Sequence, residues 1–182
     1  MENFFHGSSS GIDPLTSYLA KPVLIEHKKE ARLAPLQSWE EPAPIVFLLD
    51  SALPRRTAPL VSWFLEQMGE LDFSKKLEST LLPAHETMLR SWLEGDAALF
   101  WPALRRVSQF QLEYMPPMIP STVYDFWKKS LESEDLALKI CGAGGGGFVL
   151  GFAKDREALA KIEQAFTIVF PLANAEQPLL SE

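Results

Sequence analysis

Residues 142–147 read Gly-Ala-Gly-Gly-Gly-Gly and stand between two short apolar runs, Leu136–Cys141 and Phe148–Phe152. The runs read as two strands joined by a glycine turn. A hairpin needs positive φ at only one or two positions. Five glycines in six positions imply that a ligand or another backbone comes closer there than a Cβ would allow; the alternative is a loose hairpin tip. The tract is neither the dinucleotide fingerprint, which opens a helix after a parallel strand, nor a Walker loop, since no Lys-Ser/Thr follows it.

The periodicity around this hairpin sets the fold class. Ile45–Leu49 is a continuous apolar run ending at Asp50, the pattern of a buried strand. Thr57 suits a helix N-cap and Pro59 its first turn, with Leu60, Phe64 and Met68 at helical spacing. A helical region from about Phe73 to Leu93 is interrupted or restarted at Pro83, and His85, Met88, Leu89, Trp92 and Leu93 share one of its faces. Phe100, Leu104, Val107, Gln111 and Tyr114 mark another helix, stopped by Pro116 and Pro117. Ser121 can cap a helix carrying Val123, Phe126, Trp127 and Leu131, and Asp155 one running to about Gln164. Thr167–Phe170 is a last strand. From residue 45 to 170 the order is strand, helices, strand, strand, helix, strand. That is the split βαβ order of a ferredoxin-like sandwich with extra helices in its first crossover. The fold class is α+β, with the four strands in one antiparallel sheet and helices expected on one face. Upstream, KPVLIEHKKEARLAPL reads as a strand pair, with Val23 and Ile25 facing one way and Leu24 the other.

Composition narrows the function classes. With 182 residues, 47% apolar and 23% charged, the chain can bury a real core. A net charge of −7 argues against a nucleic-acid or anionic-membrane surface. The single cysteine, Cys141, excludes an internal disulfide framework and fits a reducing cytosol. No apolar run approaches the ~20 residues needed to span a bilayer, and no signal peptide is evident, so a cytoplasmic protein is expected.

A second small-residue stretch, His6-Gly7-Ser8-Ser9-Ser10-Gly11-Ile12-Asp13, lies near the start. Backbone N–H groups in such a segment can approach an anion, and a carboxylate at its end could orient a hydroxyl and take its proton. The same residues also suit a surface loop in which Asp13 caps a turn before Pro14. Ser8–Ser10 lack a strand-to-helix nucleophile elbow, which argues against a serine hydrolase. His27 and His85 read as solvated or core residues, Cys141 as a small core residue, and no His/Cys/Asp cluster has metal-ligand spacing.

Three of these segments, taken in order, resemble the GHMP kinases, closest to bacterial mevalonate kinase-like proteins. Phe5–Asp13 is similar to the HG-x-x-SG-x-D segment, Phe47–Ser51 with Arg56-Thr57 to the opening of the C-terminal domain, and Lys139–Gly147 to the K-x-x-GAGGGG motif. The resemblance implies a domain with a ferredoxin-like split βαβ core over residues 43–182, preceded by a remnant of the family's N-terminal domain over residues 1–42. It implies phosphoryl transfer from ATP to a small-molecule alcohol, with mevalonate as the closest match. A phosphomevalonate kinase, another GHMP kinase, or a non-catalytic ligand-binding or interaction domain on the same fold are the alternatives.

In that scheme Asp13 is the catalytic carboxylate, and His6, Ser10 and Thr57 face the substrate. Gly142, Ala143, Gly144, Gly145, Gly146 and Gly147 border the phosphates. The family's PxxxGLGSS-type loop and the glutamate that helps hold Mg²⁺ have no counterpart here. The Mg²⁺ ligands are thus expected outside this chain, and the chain is expected to be a C-terminal portion, inactive alone. Its partners are expected to be a small-molecule substrate and, through exposed strands, further copies of itself. The glycine loop is expected to be mobile.

Overall fold

The computed structural model describes residues 18–19, 23–26, 30–33, 39, 43–54 and 57–170. The chain divides into two compact units, Met1–Ser38 and Trp39–Glu182. In the first, β1 (Val23–Glu26) and β2 (Glu30–Leu33) form an antiparallel hairpin in which Val23 pairs with Leu33 and Glu26 with Glu30. Leu24 is buried and Ile25 exposed, the alternation of a half-covered strand.

The second unit holds a four-stranded antiparallel sheet of β3 (Ile45–Asp50), β4 (Leu136–Ile140), β5 (Phe148–Ala153) and β6 (Ile168–Val169). The spatial order β4-β5-β3-β6 is the split βαβ arrangement: β5 fills the gap between β3 and β4 and pairs with both. The long first crossover carries α1 (Thr57–Gly69), α2 (Leu71–Lys76), a π-helical turn (Leu77–Leu81), α3 (Leu82–Glu94), α4 (Ala97–Tyr114) and α5 (Ser121–Ser130). A 3₁₀ turn, Pro116–Met118, lies between α4 and α5, and α6 (Arg156–Glu163) connects β5 to β6.

Local chemistry explains several helix ends. Pro83 sits in the first turn of α3, where its missing N–H costs nothing. Gly95, at φ 72°, closes α3 in the left-handed conformation, and the Asp96 carboxylate next to it accepts from Leu99 N at 3.0 Å to start α4. Asp155 caps α6 through Ala158 N at 2.8 Å, as its sequence position predicts. Two cap expectations differ. Thr57 and Ser121 are the first helical residues rather than caps, and α5 shows no side-chain cap bond among the described residues. The Thr122 hydroxyl, one residue on, donates instead to Ser51 O at 2.7 Å.

Helices cover both faces of the sheet, not one. Phe47, Leu49, Leu136, Leu138, Ile140 and Val149 face α5 and α6, with Trp127 of α5 fully buried and its indole N–H donating to Ser108 Oγ at 2.8 Å. Val46, Ala137, Leu150 and Phe152 face α3 and α4, meeting Ala84, Met88, Phe100, Leu104 and Val107. The helices inserted in the first crossover are long enough to wrap the edge strand β4 and reach the second face. Their attachment includes Gln111, whose side-chain oxygen accepts from Ile140 N at 2.9 Å, and Arg105, which donates to the Leu131 and Ser133 carbonyls.

Candidate functional site

The glycine hairpin tip lies at one end of the sheet and is laid onto other backbone. Gly142, Gly144, Gly145 and Gly147 have φ of 69°, 71°, 73° and 67°, a region that side-chain-bearing residues rarely occupy. A Cβ on Gly144 would stand 2.1 Å from Met118 O, and one on Gly146 would stand 2.5 Å from Pro54 O. A Cβ on Gly145 would meet the Leu60 side chain of α1 at 2.2 Å. Gly145 N donates to Met118 O at 2.6 Å, Gly147 N to Leu53 O at 2.8 Å, and Ser51 N to Gly147 O at 2.9 Å. The close approach that the sequence demands is thus met by the chain's own Leu53–Pro54 and Met118. These bonds fasten the loop to Leu53, Met118 and Ser51.

The segment beneath is equally constrained. Ser51 is buried. Ala52 holds φ 54°, strained for a residue with a Cβ, and its N–H donates to the Asp50 carboxylate at 2.9 Å. Thr122 joins the start of α5 to this corner through Ser51 O. Two helix starts therefore flank the loop: α5, through Met118 and Thr122, and α1, through Leu60. Thr57 lies on that same end of α1, three residues before Leu60, and is exposed.

The N–H groups of Gly142, Ala143, Gly144 and Gly146 make no backbone hydrogen bond among the described residues. They are the donors the loop has left for an anion. Helix N-termini add favourable potential for negative charge nearby. Among the described residues no group of three or more His, Cys, Asp or Glu could hold a metal ion.

Of the residues singled out in the sequence, the structure brings the glycine loop and the Thr57 end of α1 together. His6, Ser10, Asp13 and His27 lie outside the described residues. Cys141 is half-buried just past β4 rather than a core residue. Sequence reasoning assigned no role to Ser51, Leu53, Met118 or Thr122, which act through backbone groups or one hydroxyl. Leu53 and Met118 are signalled only by the neighbouring prolines at 54, 116 and 117. No described helix is long and apolar enough to cross a membrane.

Residues 88–172, a little under half of the chain, match the family model described as GHMP kinases C terminal. No curated protein matches the chain by sequence. Among solved structures, a Lin0012 protein from Listeria innocua superposes with a TM-score of 0.58 at 18% identity, over 86% of this chain and 47% of that one. Mevalonate kinase from L. major, solved in complex with R-mevalonate, superposes with a TM-score of 0.58 at 14% identity, over 90% of this chain and 50% of that one. The chain spans about half the length of these two structures. It is thus similar, over residues 88–172, to the C-terminal domain of the GHMP kinases, and it has that domain's α+β fold.

Proposed function

We propose that this chain is part of a GHMP-type small-molecule kinase that transfers the γ-phosphoryl group of ATP to an alcohol, with mevalonate as the first substrate to test. The carrying observation is the family match over residues 88–172, which includes the glycine loop seated between two helix starts. In this reading the substrate hydroxyl oxygen attacks the γ-phosphorus, the β–γ bridging oxygen leaves with its electron pair on ADP, and the hydroxyl proton passes to the Asp13 carboxylate. His6, Ser10 and Thr57 contact the substrate, and residues 142–147 lie along the phosphates. The unspent N–H groups of Gly142, Ala143, Gly144 and Gly146 suit phosphate oxygens. Bound Mg²⁺ would neutralise phosphate charge; in this reading its ligands come mainly from the family's N-terminal half. In this reading residues 1–42 are a remnant of the family's N-terminal domain carrying the catalytic segment, residues 43–182 are its C-terminal domain, and the protein is cytoplasmic.

One observation favours a second reading. The glycine conformations are accounted for by internal packing against Leu53, Pro54 and Met118, which a non-catalytic domain on this fold would keep as well. Turnover separates the two.

The test is ADP release with MgATP and a panel of mevalonate, phosphomevalonate, homoserine and galactose. The protein assayed joins these residues to an ATP-binding half, beside the 182-residue chain alone. The joined protein is expected to phosphorylate mevalonate and the chain alone to show no turnover. Asp13→Asn should lower kcat at least ~10²-fold with folding intact, the scale of a lost general base. Near-normal turnover by Asp13→Asn would remove that residue from its role, and no turnover with any alcohol would favour the non-catalytic reading.

A further inference from the structure

The second face of the sheet, away from the glycine loop's packing, carries an open cavity of about 300 Å³ between β3, β4, β5, α3 and α4. Its walls are largely apolar, and one side is an aromatic cluster: Trp92, Phe100 and Phe152 meet edge-to-face or tilted, with ring centroids 5.2–5.6 Å apart. Leu150 continues the apolar lining. Into this lining β4 sends Lys139, the one residue of Leu136–Ile140 that is charged. Its Nζ donates to Ile140 O at 3.2 Å. An ammonium carries three N–H donors, so two are unspent among the described residues. His85, exposed on α3, is the other ionisable group at the rim, and no described residue lining the cavity is a carboxylate.

We propose that this cavity binds a small carboxylate with an apolar aromatic or aliphatic body, the carboxylate paired with Lys139 and the body against Trp92, Phe100 and Phe152. The volume is at the small end for ligand pockets and suits a body of one ring or a short chain. Apolar walls with one polar group at a defined point are what orient such a ligand. Burial lowers the Lys139 pKa, with the neighbouring Cys141 opposing, and partial burial of its ring, followed by the charge of Lys139, lowers that of His85. Both shifts disfavour cations in a site that an anion would relieve. The site is separate from the phosphate loop, and its test does not depend on kinase activity.

The probes are 4-phenylbutyrate and its neutral analogue 4-phenylbutanol, titrated into the 182-residue chain while the methyl resonance of Met88, which lines the cavity, is followed by NMR. The acid should shift Met88 saturably with a Kd on the order of 0.1–1 mM, the scale for about a dozen heavy atoms. The alcohol should bind roughly tenfold more weakly, the value of one charge-assisted hydrogen bond. Lys139→Met should abolish that preference while leaving the alcohol's affinity near normal. Equal affinity of acid and alcohol for the wild type, no saturable Met88 shift, or a preference that survives in a folded Lys139→Met protein would each overturn the proposal. Should Lys139→Met not fold, the acid-to-alcohol ratio of the wild type decides alone.

Discussion

The two faces of the four-stranded sheet are built by the same strands, yet they differ in kind. On one face Phe47, Leu49 and Leu138 are fully buried, and Phe47 lies so close over Gly151 that an added Cβ would stand 2.1 Å from its ring. On the other face, the paired row Lys139–Leu150–Leu48 is only partly buried and borders a cavity. The registers show how close the two environments are in sequence: Leu138 pairs with Gly151 on the packed face, and Lys139 pairs with Leu150 on the other. A period of two sends adjacent residues to opposite faces. The contrast lies at these rows: Phe47–Gly151–Leu138 is densely packed, whereas Lys139 and Leu150 border empty space.

Substitutions at four positions, Leu138, Leu150, Gly151 and Lys139, test that contrast. The largest effect is expected at Leu138, where truncation to Ala in a site that cannot collapse should cost about 2–5 kcal/mol. Leu150→Ala, beside existing empty space, should cost about 1 kcal/mol. Urea unfolding of both variants reads the difference directly, and equal costs would mean that the faces are equally packed.

Gly151→Ala comes next. The Phe47 ring that its Cβ would strike is fully buried and has nowhere to go, so overpacking should cost about 1–3 kcal/mol. A companion Phe47→Leu change should recover part of that loss. Without any recovery, the ring contact is not what the glycine serves.

The smallest effect is the most informative about the second face. Lys139→Met should raise Tm by a few degrees at pH 7, because a partly buried charge is exchanged for an apolar chain of similar shape. Burial holds the folded-state pKa of Lys139 below its ordinary 10.5. Between that lowered value and 10.5 the unfolded chain binds a proton that the folded chain lacks, so wild-type stability rises with pH across that window. Below the lowered value the whole penalty is present. The Tm gap between Lys139→Met and wild type should therefore narrow as pH climbs toward 10.5. His85 and Cys141 are the other groups that interact with Lys139; the His85 shift lies below its ordinary 6.5 and does not enter this window. A gap that stays constant from pH 7 to 10.5 would show that Lys139 is solvated.

The candidate site was only partly readable in advance. The glycines announced a close approach, but the choice between ligand and backbone stayed open because nothing local to residues 142–147 names Met118 or Pro54. Thr57 was found by its place before an apolar helix, although it begins the helix instead of capping it. Thr122, whose hydroxyl fastens α5 to Ser51, carries no signal at all: a threonine in a first helical turn is common, and its partner lies 71 positions away. Helices on one face only was the natural expectation from a plain split βαβ unit, and it failed because the inserted α3 and α4 carry enough apolar surface to need a face of their own.

What the sequence by itself determined is whatever repeats over a few residues. The apolar runs at 45–49, 136–141 and 148–152, the helical spacing from Leu60 to Leu131, the Asp155 cap and the need for glycine in the hairpin tip all follow from backbone sterics and from periods of 2 and 3.6. Tertiary structure alone decided which backbone the glycines accommodate, which helices cover which face, and that Lys139 ends in an apolar-walled cavity. Alternation tells that Lys139 opposes Leu138 and Ile140, but not what waits on that side. That depends on side chains such as Trp92, Phe100 and Phe152, brought to β4 from far along the chain by packing whose energy is spread over many contacts and written in no short segment.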